Sequence, residues 1–214
     1  MVVCLMLVAI WLPAAPLRAQ YVEIQSFEVT PFIGARLGGT FDLQPDGLEL
    51  VQATLKDATS YGFSAGVRFD DFSLVEFRWT QATSALRVDA PFAFLEASIG
   101  DVTLDQFHAD FTREFVIREV KGLRSFVTAS LGATHIAAAQ DGFTRFSFGF
   151  GAGLKQFLGS RLAIRAEAQW LPILLDPSVS GFACGTIQFG GCFVVFSGDL
   201  VQQFQLSIGP VVRF

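Results

Sequence analysis

Residues 144–157 read TRFSFGFGAGLKQF. Phe146, Phe148, Phe150, Ala152 and Leu154 alternate there with Ser147, Gly149, Gly151, Gly153 and Lys155. Successive side chains of a β-strand point to opposite faces, so a period of two sorts this stretch into an apolar face and a polar or side-chain-free face.

The same period recurs along the chain. Leu162, Ile164, Ala166, Ala168 and Trp170 oppose Ala163, Arg165, Glu167 and Gln169. Tyr61, Phe63, Ala65, Val67 and Phe69 oppose Gly62, Ser64, Gly66 and Arg68; Val75, Phe77 and Trp79 oppose Glu76, Arg78 and Thr80. Phe107, Ala109 and Phe111 oppose His108, Asp110 and Thr112. Segments over 27–41, 124–137 and 200–214 complete a set of eight strands, an even number, as bacterial single-chain barrels have. Asp70-Asp71 and Leu158-Gly159-Ser160 read as tight turns, whereas 42–60, 82–101 and 173–199 read as long connections. Alternating short and long joins predict an up-and-down antiparallel barrel with turns on the periplasmic side and loops outside.

Composition agrees. The 214 residues are 51% hydrophobic yet only 16% charged, below the roughly 25% usual in soluble domains. Beyond the N-terminus no apolar run reaches the ~18 residues of a membrane helix. The apolar face carries almost no charge, as a lipid-facing surface requires, because a mid-bilayer Lys or Arg there costs about 2–4 kcal/mol. Small residues beside Arg36, Arg68, Glu76, Arg78, Lys155, Arg165 and Glu167 on the other face suit a narrow lumen in which acid and base neutralise each other. The competing reading is a soluble lipocalin-like binding barrel, in which the two faces exchange roles. Trp79 and Trp170 lie on the loop side of the apolar face, where an outer aromatic girdle sits. Pro31 and Pro210, which lack a ladder donor, fall at similar heights on the first and last strands, predicting a loosened closing seam.

Residues 1–19 have the apolar stretch and small-residue end of a secretory signal peptide, leaving 20–214 as the barrel domain. Export makes Cys184 and Cys192 an expected disulfide. A net charge of −5 and the lack of a basic cluster argue against nucleic acid. No cofactor or metal set is evident.

The stretches FEVTPFIGARLGG, RSFVTASLGAT, FSFGFGAGLKQF and RLAIRAEAQW resemble the OmpA-like small outer-membrane β-barrel family, over about the whole mature chain. Ser207, Gly209, Val212 and Phe214 are similar to the C-terminal signal that the barrel-assembly machinery reads in Gram-negative outer-membrane proteins. The resemblance implies a monomer in the outer membrane, surrounded by lipid and lipopolysaccharide, with extracellular loops available to a ligand.

Two chemical readings compete with a structural or surface-interaction role. A lumen lined by charge suggests a narrow pore for small solutes, although eight strands enclose a space that side chains fill. His108, Asp110 and Ser130 supply the residue types of a hydrolytic triad, hence a lipid-modifying enzyme, although an inward dyad does not reach lipid. Gly149, Gly151 and Gly153 follow the strand period and open no helix, so they make room in the lumen and do not cradle phosphate.

Overall fold

The computed structural model describes residues 24–44, 51–89, 97–138, 141–174, 195–196 and 200–214. Its regular elements are all strands, joined in a single antiparallel sheet: β1 (Ser26–Leu37), β2 (Gly39–Gln44), β3 (Val51–Leu55), β4 (Ala58–Arg68), β5 (Ser73–Asp89), β6 (Ala97–Val116), β7 (Leu123–Ala138), β8 (Asp141–Phe157), β9 (Leu162–Trp170), β10 (Ile173–Leu174), β11 (Val195–Phe196), β12 (Leu200–Val201) and β13 (Phe204–Arg213). Four interruptions of one or two residues, at Gly38, Lys56-Asp57, Leu171-Pro172 and Gln202-Gln203, divide otherwise continuous staves. Counting each divided pair as one stave gives eight, with the two-residue β11 added on the outer end of β2, and β13 pairs back onto β1, so the barrel closes.

The strands run further than the alternation suggested. Segments read as loops at 42–60 and 82–101 contain β3 and the ends of β2, β5 and β6. β10 and β11 likewise fall inside the expected loop 173–199. Pairing continues past the apolar band because ladder bonds also form outside lipid, so loss of the hydrophobic pattern does not end a strand. At the other end the joins are tight, and Gly122, with φ +77°, supplies the left-handed residue of the β6–β7 turn.

Burial alternates along the staves in the expected phase. Phe27, Phe77, Phe107, Phe111, Leu131, Phe150, Leu206 and Ile208 are exposed on the outside, while the intervening polar side chains are buried. The apolar outer face of β6 lies between Asp105 and Arg113, and that of β8 between Thr144 and Gln156. Spans of eight to twelve residues match the ~9–11 of a tilted membrane-crossing strand. A barrel with its aliphatic and aromatic side chains outside and its charges inside is a membrane barrel, so the lipocalin-like assignment of faces is excluded.

The seam departs from ideal pairing where the prolines stand. β1 and β13 pair at Glu28↔Arg213 and Val29↔Val212, then resume at Ile33↔Ile208 and continue to Leu37↔Phe204. The intervening register sets Pro31 opposite Pro210. Neither proline has an N–H to give, so the ladder lapses over three positions. The strands stay close there: a Cβ on Gly209 would stand 2.0 Å from the Pro31 carbonyl oxygen. Below the lapse, Phe27 and Phe214 exchange both backbone bonds (3.3 and 2.9 Å), so the terminal residue is itself part of the closure.

Candidate functional site

Five cations (Arg36, Arg68, Arg78, Lys155, Arg165) and five carboxylates (Glu28, Glu76, Asp110, Glu114, Glu167) are buried among the described residues, all of them in the lumen. They are arranged in storeys. Nearest the periplasm, Glu28 accepts from Arg68 (2.8 Å), Lys155 (2.9 Å) and Arg213 (2.7 Å). Glu114 accepts from Arg68 (2.7 Å), Lys155 (2.5 Å) and Arg124 (2.9 Å). Phe126, Leu74 and Val211 fill the space among these groups and are at most 1% exposed.

In the next storey Arg165 Nη1 donates to both oxygens of Glu76 (2.9 and 2.8 Å), which also accepts from Ser64 (2.8 Å). Arg78 donates through Nε to Asp110 (2.5 Å), Nη2 to Glu167 (2.8 Å) and Nη1 to Gln169 (3.1 Å). Each guanidinium also stacks on a lumenal ring, Arg78 over Phe32 (5.4 Å) and Arg165 over Phe126 (4.6 Å). A void lined by Thr30, Phe32, Ser64, Arg78, Arg165, Glu167, Ser207 and Gly209 measures about 10 Å³. That is the size of one water and far too small for a hydrated ion.

Above it Arg36 spans the lumen to Gln106, Gln203 and Gln205, and Gln106 continues through Thr134 to Ser147. The topmost storey is aliphatic: Leu55, Ala82, Val102, Leu104, Ile136, Leu171, Ile173 and Val201 are buried together at the loop side of the barrel. The lumen is therefore an ionic plug capped by an apolar core, which differs from the polar interior expected throughout. A dry cap strengthens the plug, because charges shielded from water attract one another at lower effective dielectric.

All seven charged residues singled out from the sequence lie in this lumen, and six of them share ion pairs. Arg36 does not; its partners are amides. Glu28, Asp110 and Glu114 belong to the same network but were not among the seven lumen charges expected; Asp110 was placed on the polar face as a triad candidate, and extending the β1 and β6 alternations puts Glu28 and Glu114 there too. The triad residues are not assembled as one. His108 Nε2 bonds Ser147 (2.9 Å) and Asp110 is held by Arg78, while Ser130 stands opposite Asp110 in the β6–β7 register.

On the outer wall Trp79 packs against Tyr61 (6.0 Å) and Phe63 (5.8 Å), and Trp170 against Phe148 (6.0 Å) and Phe150 (6.4 Å). Just beyond Trp79 the surface turns polar, with Tyr61 bonded to Gln81 and Gln81 to Asp105 (2.8 Å). Ser207 and Gly209 face inward on β13 and Val212 precedes the terminal Phe214, whose side chain is 73% exposed. At the periplasmic turn, Asp70 accepts from the backbone N–H groups of Phe72 and Ser73 (both 2.6 Å), and the Phe72 bond leads in holding its carboxyl below the usual carboxylate range. Cys184, Cys192 and residues 1–19 lie outside the described residues.

Fold, polarity and stave count together define an eight-stranded transmembrane β-barrel of the outer-membrane type. Comparison with solved structures places it among small Gram-negative examples. The outer membrane protein OprG from Pseudomonas aeruginosa superposes with TM-score 0.64 at 12% identity, over 88% of this chain and 95% of that one. Outer membrane protein AlkL, solved in lipid bilayers, superposes with TM-score 0.59 at 15% identity, over 94% and 95%. Neisserial surface protein A gives TM-score 0.50 at 16% identity, over 88% and 97%. No family model and no curated protein matches the sequence. The likeness is one of fold, and the protein resides in the Gram-negative outer membrane.

Proposed function

We propose that this protein is a sealed outer-membrane scaffold with a structural or surface-interaction role exercised through its extracellular loops. The observation that carries this reading is the plug: among the described residues, ten buried, mutually paired or hydrogen-bonded charges under an aliphatic cap fill the lumen. A rigid barrel with its interior filled presents loops and does little else, and loops on rigid scaffolds carry recognition. The staves that continue past the aromatic girdle extend this platform outward. The protein works as a monomer among outer-membrane lipid and lipopolysaccharide, and Ser207, Gly209, Val212 and Phe214 present it to the barrel-assembly machinery.

Reconstitution into planar bilayers tests the seal. The barrel is expected to give no unitary conductance, and Arg78→Ala, which removes the group linking Asp110 to Glu167, is expected to give a leak. Steady single-channel steps from the unaltered protein would instead make it a narrow pore. Deleting 45–50 and 90–96 is expected to abolish surface adhesion by cells bearing the protein while leaving the barrel folded.

A further inference from the structure

Arg113 brings a charge to the apolar outer wall near the periplasm. It stands on β6 between Phe111 and Phe115, two half-exposed rings of the same face. Its guanidinium lies over the ring of Phe72 (5.7 Å). Its Nη1 donates to Ser73 and to Asp70 Oδ2 (3.3 Å) at the periplasmic turn. Both bonds leave from that one nitrogen, and Nε and Nη2 have no hydrogen-bond partner among the described residues. The free edge of the fork is a donor pair of the kind that takes a phosphate. Asp70 Oδ1 is occupied by the N–H groups of Phe72 and Ser73, so Oδ2 is its outward acceptor. Side-chain exposures of 45% for Arg113 and 51% for Asp70 keep both signs of charge within reach of a ligand.

Above Arg113 the wall is grooved. The β6–β7 register sets Ala109 opposite Leu131 and Phe111 opposite Ala129, so the two alanines are diagonal neighbours on the outer face. They lie among Phe111, Leu131, Phe148 and Phe150, and a groove of about 320 Å³ results. Ala109 is about 13 Å along the strand from Arg113, within the length of one acyl chain. A second groove, of about 440 Å³, runs over Ala152 and Ala168. Toward the periplasm it is followed by Leu154, Ile164 and Leu162, with no charged side chain on that face among the described residues. An acyl chain can lie in either groove, but only the first has a headgroup contact beneath it.

We infer that Arg113, Asp70 and the groove over Ala109 and Ala129 form a site for one phospholipid of the periplasmic leaflet, with a phosphate and a primary ammonium in its headgroup. The phosphate accepts from Arg113 Nε and Nη2, and the ammonium donates to Asp70 Oδ2. One acyl chain fills the groove. A zwitterionic headgroup matches a pair that offers both signs. A purely anionic headgroup leaves Asp70 facing like charge, and a quaternary ammonium has no N–H to donate.

Native mass spectrometry tests the site, with phosphatidylethanolamine as the probe. The full-length barrel is folded in micelles carrying equal amounts of phosphatidylethanolamine, phosphatidylcholine and phosphatidylglycerol. One phosphatidylethanolamine is expected to stay bound on release, about tenfold in excess of either competitor, as a charge-assisted bond would give. Arg113→Gln and Ala109→Phe are each expected to lower that retention about tenfold, and Asp70→Asn to remove the preference over phosphatidylglycerol. Ala152→Phe, which fills the other groove, is expected to change nothing. Each variant is first shown to keep its heat-modifiable folded form. Equal retention of the three lipids, or a preference for phosphatidylglycerol, would overturn the site. So would retention that survives both Arg113→Gln and Ala109→Phe, or that is lost in Ala152→Phe.

Discussion

Two ladders of this barrel do the same work with different materials. Between β6 and β7, fifteen successive residues pair from Val102↔Ala138 to Val116↔Arg124 without a lapse. Between β1 and β13 the pairing fails around Pro31 and Pro210 and is secured at either side by other means. Below the lapse the register partners Glu28 and Arg213 are joined side chain to side chain (2.7 Å), and Phe27 grips the backbone of Phe214. Above it, Ile33 to Leu37 pair normally and Arg36 reaches Gln205. The ladder between β6 and β7 has an unbroken run of backbone pairs, to which side-chain bonds such as Arg124 to Glu114 and Gln106 to Thr134 are added. The one joining the two ends of the chain is closed with help from the ionic plug.

The largest effect should come from giving the regular ladder what the seam already tolerates. Ala129→Pro, in the middle of β7, removes a donor from an unbroken ladder and should cost ~3 kcal/mol or more. Its expected signature is loss of the compact, heat-modifiable species on gels run with and without boiling. Glu28→Gln should come next, because it leaves Arg68, Lys155 and Arg213 short of a carboxylate; breaking a buried pair costs about 3–5 kcal/mol, read from urea unfolding in micelles. Lys155→Met should be milder, since Arg68 still serves both Glu28 and Glu114.

Hydrogen exchange compares the ladders directly. Amides at Val29, Ile33, Ile208 and Val212, which face the seam on either side of the lapse, should exchange at least tenfold faster than those of Ala129 and Leu131, which face β6, and equal rates would dissolve the distinction. Pro210→Ala restores one donor at the lapse; its gain should not exceed ~1 kcal/mol, the net worth of one hydrogen bond. The smallest effect belongs to Asp70. Its carboxyl titrates below the unfolded value, so its contribution is present at neutral pH and fades as pH falls through the folded pKa. Asp70→Asn should therefore narrow the difference in urea midpoint between pH 7 and pH 3, by a small amount because the group is exposed.

The staves and their faces were legible from sequence because lipid imposes a strict alternation: a charge among Phe146, Phe148 and Phe150 would meet hydrocarbon. The opposing prolines were legible too, since a missing donor is a property of the residue. Less could be read inside the barrel. Phe32, Leu74 and Phe126 break the polar pattern without penalty, because the lumen selects by volume and pairing and not by polarity. Which acid meets which base depends on reach across the barrel: Lys155 finds Glu28 and Glu114 from three different staves. The aliphatic storey at the top is assembled from residues such as Leu55, Ala82 and Ile173, each of which reads in isolation as part of a loop.

The unequal outer faces of β6 and β8 reach beyond the protein. Eight residues separate Asp105 from Arg113 and twelve separate Thr144 from Gln156, which is about 27 Å of strand against about 41 Å. With the usual 35–45° tilt the apolar wall stands roughly 20 Å tall on one side and 30 Å on the other. No bilayer of even thickness matches both, so the short side has to be met by thinning of the leaflets beside β6 or by Arg113 reaching out to the interface.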